Sequence, residues 1–105
     1  MTIAELKAEL TVLDIDGTNL KHVIQGYDDV ELSTLTGIVG EVEIVHEEGD
    51  TEGGGDHSEV VVHFKDHNIF LRATGFYSSY NGTEWDSDLT EVEPYEKMVT
   101  FYKNK

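Results

Sequence analysis

The stretch Glu59-Val60-Val61-Val62-His63-Phe64-Lys65-Asp66-His67-Asn68-Ile69-Phe70-Leu71-Arg72-Ala73 decides the fold. Val60, Val62 and Phe64 share one face of an extended chain and Glu59, His63 and Lys65 the other, the alternation of a half-buried strand. After a turn at Asp66-His67, Ile69, Leu71 and Ala73 repeat the pattern. Pairing Phe64 with Ile69 sets Val62 opposite Leu71 and Val60 opposite Ala73, so these apolar pairs all fall on one face. A slip of one residue would move the whole set to the other face, so the hydrophobic pattern specifies the register.

Working outward, Ile38, Val42 and Ile44 alternate with Glu41 and Glu43 and predict a strand beginning after Thr36. The Gly-rich acidic run from Gly49 to His57 reads as a connecting loop. Downstream, Asn81-Gly82 within Tyr80-Asn81-Gly82-Thr83 suits a type I′ hairpin turn. Glu91 to Glu93 and Lys97 to Tyr102 read as a last pair of short strands, with Pro94 at a turn or bulge because it cannot donate to a ladder. At the N-terminus, Thr2-Ile3-Ala4-Glu5 has capping-box form, and Ile3, Leu6, Leu10 and Leu13 recur at helical spacing. Asp14 to Gly17 should end that helix. Leu20, Val23 and Ile24 form a second short helical set, stopped at Gln25-Gly26. Tyr27 to Thr36 shows no clear period. The expected fold is α+β, with an N-terminal helix or helices packed on an antiparallel β-meander of four to five strands, in a single domain over residues 1–105.

Composition narrows the function classes. The chain has 105 residues, with 22 acids against 7 bases, a net charge of −15 and a pI near 4.4. Binding to free nucleic acid or to an anionic membrane requires clustered Lys and Arg and is not expected. A protein partner with a basic surface is expected instead, while the charge by itself also serves solubility. There is no cysteine, so thiolate catalysis and Cys-type zinc sites are absent. No signal peptide or membrane-spanning run is read in the sequence, and a cytoplasmic location is the default expectation. Self-association stays open.

Val12-Leu13-Asp14-Ile15-Asp16-Gly17-Thr18 resembles the first motif of the haloacid dehalogenase phosphatases, hydrophobic residues followed by DxDGT. The resemblance implies a nucleophilic Asp14 and an acid/base Asp16. That chemistry also needs a Lys on the phosphate and a downstream acidic pair for magnesium. Those partners are missing in the right order, and the downstream chain alternates strand with strand, so the motif reads as a helix-ending turn. Asp14, Asp16 and Asn19 also offer hard oxygen ligands, yet the last position of an EF-hand loop counted from Asp14 falls on the neutral Gln25. The five histidines, His22, His46, His57, His63 and His67, read as scattered surface residues rather than a zinc set. Neither a catalytic residue, nor a metal site, nor a cofactor is assigned.

Two acidic stretches remain, Glu41 to Glu59 and Glu84 to Glu96, each without a Lys or Arg. From these, Glu41, Glu43, Glu47, Glu48, Asp50, Glu84, Asp86, Asp88, Glu91 and Glu93 are the candidate partner-binding residues. A face of carboxylates can imitate the spaced phosphates of a duplex and be steered to the basic groove of a nucleic-acid-binding protein. Tyr77 and Tyr80 flank Ser78-Ser79 beside the expected turn, and Trp85 lies in the second acidic stretch; Tyr and Trp beside acids would suit an interface anchor. The run Gly75-Phe76-Tyr77-Ser78-Ser79-Tyr80-Asn81-Gly82-Thr83-Glu84-Trp85-Asp86, followed by Glu91-Val92-Glu93-Pro94, resembles small accessory proteins of tailed bacteriophages. That resemblance implies a non-enzymatic protein that binds or inhibits a host factor. The alternative within the same context is a small structural or virion-associated protein.

Overall fold

A computed structural model describes residues 1–48, 57–78, 82–95 and 102–105. Helix α1 spans Ile3–Val12. Its N-terminus is closed by the expected capping box: Thr2 Oγ1 accepts from the Glu5 amide at 3.2 Å, and Glu5 Oε1 accepts from the Thr2 amide at 3.0 Å. Two otherwise unpaired N–H groups are thereby satisfied. Leu6 and Leu10 are buried, and Ile3 and Leu13 pack half-buried against the same core. The helix stops at Asp14, whose φ of 59° leaves the helical region. Helix α2, Leu20–Gln25, buries Leu20 and Val23 and ends at a left-handed Gly26, as read from the sequence.

Helix α3, Leu32–Val39, corrects the sequence reading twice. It occupies part of the stretch for which no element was assigned, and it takes in Ile38, which was read as strand. Ser33, Thr34, Thr36 and Gly37 are weak helix formers, so local propensity does not announce it. Leu35 and Val39, four apart and fully buried, hold the helix onto the core; Ile38 points away and is 42% exposed. Tertiary burial outweighs propensity here. The chain then reverses at Gly40, with φ 82°, where a side chain would also strike the Asp66 carboxylate.

The sheet follows with β1 (Val42–Glu48), β2 (His57–Phe64), β3 (Ile69–Ser78), β4 (Gly82–Trp85) and β5 (Thr90–Val92). It is antiparallel in the order β1-β2-β3-β4, with β5 also pairing β3. The β2–β3 register is the expected one, Phe64↔Ile69, Val62↔Leu71 and Val60↔Ala73. Its inner face joins Leu6, Leu10, Leu20, Val23, Leu35 and Val39 from the helices in one core. The fold is thus α+β, three helices packed on one face of a five-stranded antiparallel sheet.

The C-terminal strands differ in detail. The Asn81-Gly82 turn falls partly outside the described residues, as do residues 49–56 of the expected loop; His57 already begins β2. A two-residue turn at Asn81-Gly82 would set Tyr80 opposite Thr83, but Tyr77 stands there and Ser78 pairs with Gly82. The strand read at Glu91 to Glu93 is Thr90–Val92, and its partner is β3, through Phe70↔Val92 and Arg72↔Thr90. Residues 97–101 of the expected final strand lie outside the described residues. Strands β4 and β5 therefore follow one another along the same edge of β3. Asp86 to Leu89 bulge out between them, because four residues span the gap opposite only Ala73 and Thr74.

Candidate interaction surface

Side chains alternate across a strand, so the sheet has a second face that the helices leave open. On it lie Glu59, Val61 and His63 from β2, with Phe70, Arg72, Thr74 and Phe76 from β3. Strand β1 adds Glu43 opposite His63, and a bulge between Ile44 and His46 then sets His46 opposite Val61 and Glu48 opposite Glu59 on the same face. Val92 completes the face across from Phe70. Together with Val45, Glu93, Pro94 and Tyr95, residues of this face line an open depression of about 780 Å3.

At one end of the depression Glu59 is held between the Arg72 guanidinium and the His46 ring. Its Oε1 lies 3.5 Å from Arg72 Nε, and its Oε2 lies 3.4 Å from His46 Nε2. The Arg72 Nε is shielded from solvent and has no hydrogen-bond partner, so its contact with Glu59 is electrostatic rather than a directed bond. His46 Nε2 also lies 3.6 Å from Glu48 Oε1. His46, Glu48 and Glu59 thus place ligand atoms within 4.8 Å of one another, the geometry of a potential metal set. Arg72 already supplies positive charge to Glu59, and the fourth coordination position of a closed site has no further protein donor among the described residues. This cluster was not read from the sequence, since only the bulge brings His46 onto the face of Glu59. His63 instead stacks flat on Phe70, with ring centroids 4.1 Å apart, and contacts Asn68 at 3.2 Å.

The candidate acids fall on the two opposite edges of the sheet. On the β1 edge, Lys65 pairs with Glu43 at 3.1 Å and reaches Glu41 at 4.0 Å, while Glu47 faces the helix side and pairs with Lys21 at 3.3 Å. The Lys65 pKa is raised, first by its hydrogen bond to Glu43. Glu48 lies on the open face, and Asp50 lies outside the described residues. On the β4–β5 edge, Glu84, Asp86, Asp88, Glu91 and Glu93 are exposed, and among the described residues none is ion-paired with a Lys or Arg. Glu84 shares the open face with Phe76, Asp86 meets the Thr74 hydroxyl at 3.4 Å, and Asp88 lies toward the α1 side beside Lys7 and Asp16. Among the described residues, the β1 edge is thus partly compensated, by Lys21 and Lys65, and the β4–β5 edge has no Lys or Arg ion pair.

The phosphatase-like motif sits elsewhere. Val12 ends α1 and Leu13 caps it, so a helix and not a strand precedes Asp14. Asp16 Oδ1 accepts from the Thr18 amide at 2.8 Å and from the Thr18 hydroxyl, which closes a tight turn. Asn19 Oδ1 accepts from the Asp16 amide at 2.9 Å, and its Nδ2 donates to the Asp14 carbonyl at 3.0 Å. Asp16 and Asn19, two of the three oxygen ligands considered for calcium, are thus engaged in holding the turn. Among the aromatics, Trp85 packs against the core with Lys21 Nζ 5.6 Å from its ring, whereas Phe76 is 58% exposed. Tyr77 is half-buried, and Tyr80 lies outside the described residues.

Comparison of the chain with protein families, with curated proteins and with solved structures finds no match. The class defined by fold and surface is accordingly a small acidic α+β domain with one helix-covered and one open sheet face. Among the described residues no helix is long and apolar enough to cross a membrane.

Proposed function

We propose that this protein is a non-enzymatic acidic binding protein that engages a basic, nucleic-acid-binding protein partner, in the manner of a phage-type accessory protein or inhibitor. The observation that carries this reading is the β4–β5 edge, where Glu84, Asp86, Asp88, Glu91 and Glu93 stand exposed without a Lys or Arg partner among the described residues. Such an edge projects a field that a basic partner neutralises and that accelerates encounter. Three strand intervals separate it from the acidic β1 edge, roughly 14 Å at the usual inter-strand spacing. This is of the order of the ~12 Å width of a DNA major groove and favours a duplex-like presentation of charge. The phage context rests on the resemblance of Gly75 to Asp86.

The test is capture from a bacterial lysate at low salt, with the bound protein identified and then challenged by rising salt. A nucleic-acid-handling protein released by salt is expected. Neutralising Glu84, Asp86, Glu91 and Glu93 to their amides should weaken capture far more than neutralising Glu41 and Glu43, which already pair with Lys65. Equal loss from both edges, or a partner retained in high salt, refutes the electrostatic reading. Recovery of the chain in purified virions, with no host partner captured, selects the structural alternative. Turnover of a phosphate monoester that disappears with Asp14→Asn selects an enzyme.

A further inference from the structure

The open sheet face carries apolar surface that the helices do not cover. Val61, Phe70 and Val92 form a half-buried floor, and Val45 and Tyr95 flank it at 46% and 84% exposure. An antiparallel sheet with one solvated face ordinarily carries polar residues there. Strands β2 and β3 are instead apolar on both faces where Val60-Val61-Val62 and Ile69-Phe70-Leu71 run. Arg72 and His46 share the rim with Glu48, Glu59 and Glu93, and Arg72 already pairs with Glu59. The rim acids left without a Lys or Arg partner among the described residues are Glu48 at the β1 side and Glu93 at the β5 side. An apolar centre within a polar rim has the anatomy of a protein interface.

The sign of the rim selects the occupant. A second copy would bring another net charge of −15 against this one, and its acidic edges would repel. A basic segment meets opposite charge on both sides. We infer that the depression seats an apolar side chain of an extended segment of the basic partner, with lysines or arginines flanking that anchor directed to Glu48 and Glu93. The inference rests on the acidic-binding reading and adds to it the anchoring site and the alternating chemistry of the ligand. Charge steers the approach, and burial of the anchor supplies residence.

The test titrates the full chain with short synthetic peptides of alternating lysine and leucine, of lysine alone, and of alternating glutamate and leucine, followed by backbone amide NMR. The lysine–leucine peptide is expected to bind about tenfold tighter than oligolysine and to shift the amides of Val61, Phe70 and Val92. The charge-neutral pair Val45→Ser and Tyr95→Ser, both at exposed positions, should erase that tenfold difference and leave oligolysine binding unchanged. If oligolysine binds as tightly as the alternating peptide, the anchor is refuted and the acidic reading stands. Equal binding of the glutamate–leucine peptide overturns the basic occupant. Concentration-dependent shifts of the same amides without peptide identify a second copy and overturn it too. If neither lysine peptide binds, both readings fall together.

Discussion

The Gly17 amide donates to the Ser87 carbonyl at 2.9 Å, tying the loop after α1 to the bulge between β4 and β5. The close approach of that bulge, rather than the bond itself, accounts for the glycine of the phosphatase-like motif. Gly17 is buried, and a Cβ there would come within 2.8 Å of the Asp88 carbonyl oxygen and closer still to that of Asp86. Both obstacles are backbone and cannot rotate away. Gly17→Ala is expected to destabilise the fold by about 1–3 kcal/mol, the usual cost of overpacking. Urea unfolding should show the loss.

The two faces of the sheet should respond differently to truncation. Leu71 is fully buried under the helices, and Leu71→Ala is expected to cost about 2–5 kcal/mol. Phe76 lies on the open face at 58% exposure, and Phe76→Ser should change stability by about 0.5 kcal/mol or less. Paired thermal melts of the two variants check the contrast.

Acid should loosen α1 through its cap. The Glu5 carboxylate is held below its ordinary value of 4.5, first by the hydrogen bond it accepts from the Thr2 amide and then by the Thr2 side chain. A lowered folded-state pKa means stability that is complete above 4.5 and lost as the pH falls through the folded value. Glu5→Gln should remove this part of the acid sensitivity, read by helical circular dichroism between neutral pH and acid. Thr2→Ala should cost about 1 kcal/mol near neutral pH, since it removes the N-cap acceptor.

Salt should stabilise the fold. With a net charge of −15, self-repulsion opposes the compact state, and added salt screens it. The melting temperature is expected to rise from low salt to about 0.3 M sodium chloride, beyond which exposed charges are screened over less than ~8 Å. A fall over that range would show that the ion pairs of Lys21, Lys65 and Arg72 outweigh the repulsion.

Asp14 occupies a left-handed conformation, with φ 59°. Asp14→Gly should therefore leave stability unchanged or slightly raised, whereas Asp14→Val should lower it by about 1–2 kcal/mol. Thermal melts of both variants separate this backbone role from any requirement for the carboxylate.

What the sequence determined by itself was local or strictly periodic. The Thr2–Glu5 cap, the Leu6 and Leu10 stripe, the Gly26 stop and the β2–β3 register each follow from residues close in the chain, whose spacing admits one arrangement. The tertiary structure alone decided α3, because only burial of Leu35 and Val39 holds weak helix formers in a helix. It alone set the β1 bulge that brings His46 to Glu59, and it placed β5 beside β3, since the choice of strand partner depends on distant surface. The open apolar face was partly legible, as Val61 and Phe70 interrupt the polar alternation of their strands. The division of the acids was not. Pairing of Lys65 and Lys21 with the β1 edge, and the absence of such pairs among the described residues of the β4–β5 edge, depends on which side chains the fold brings within ion-pair distance.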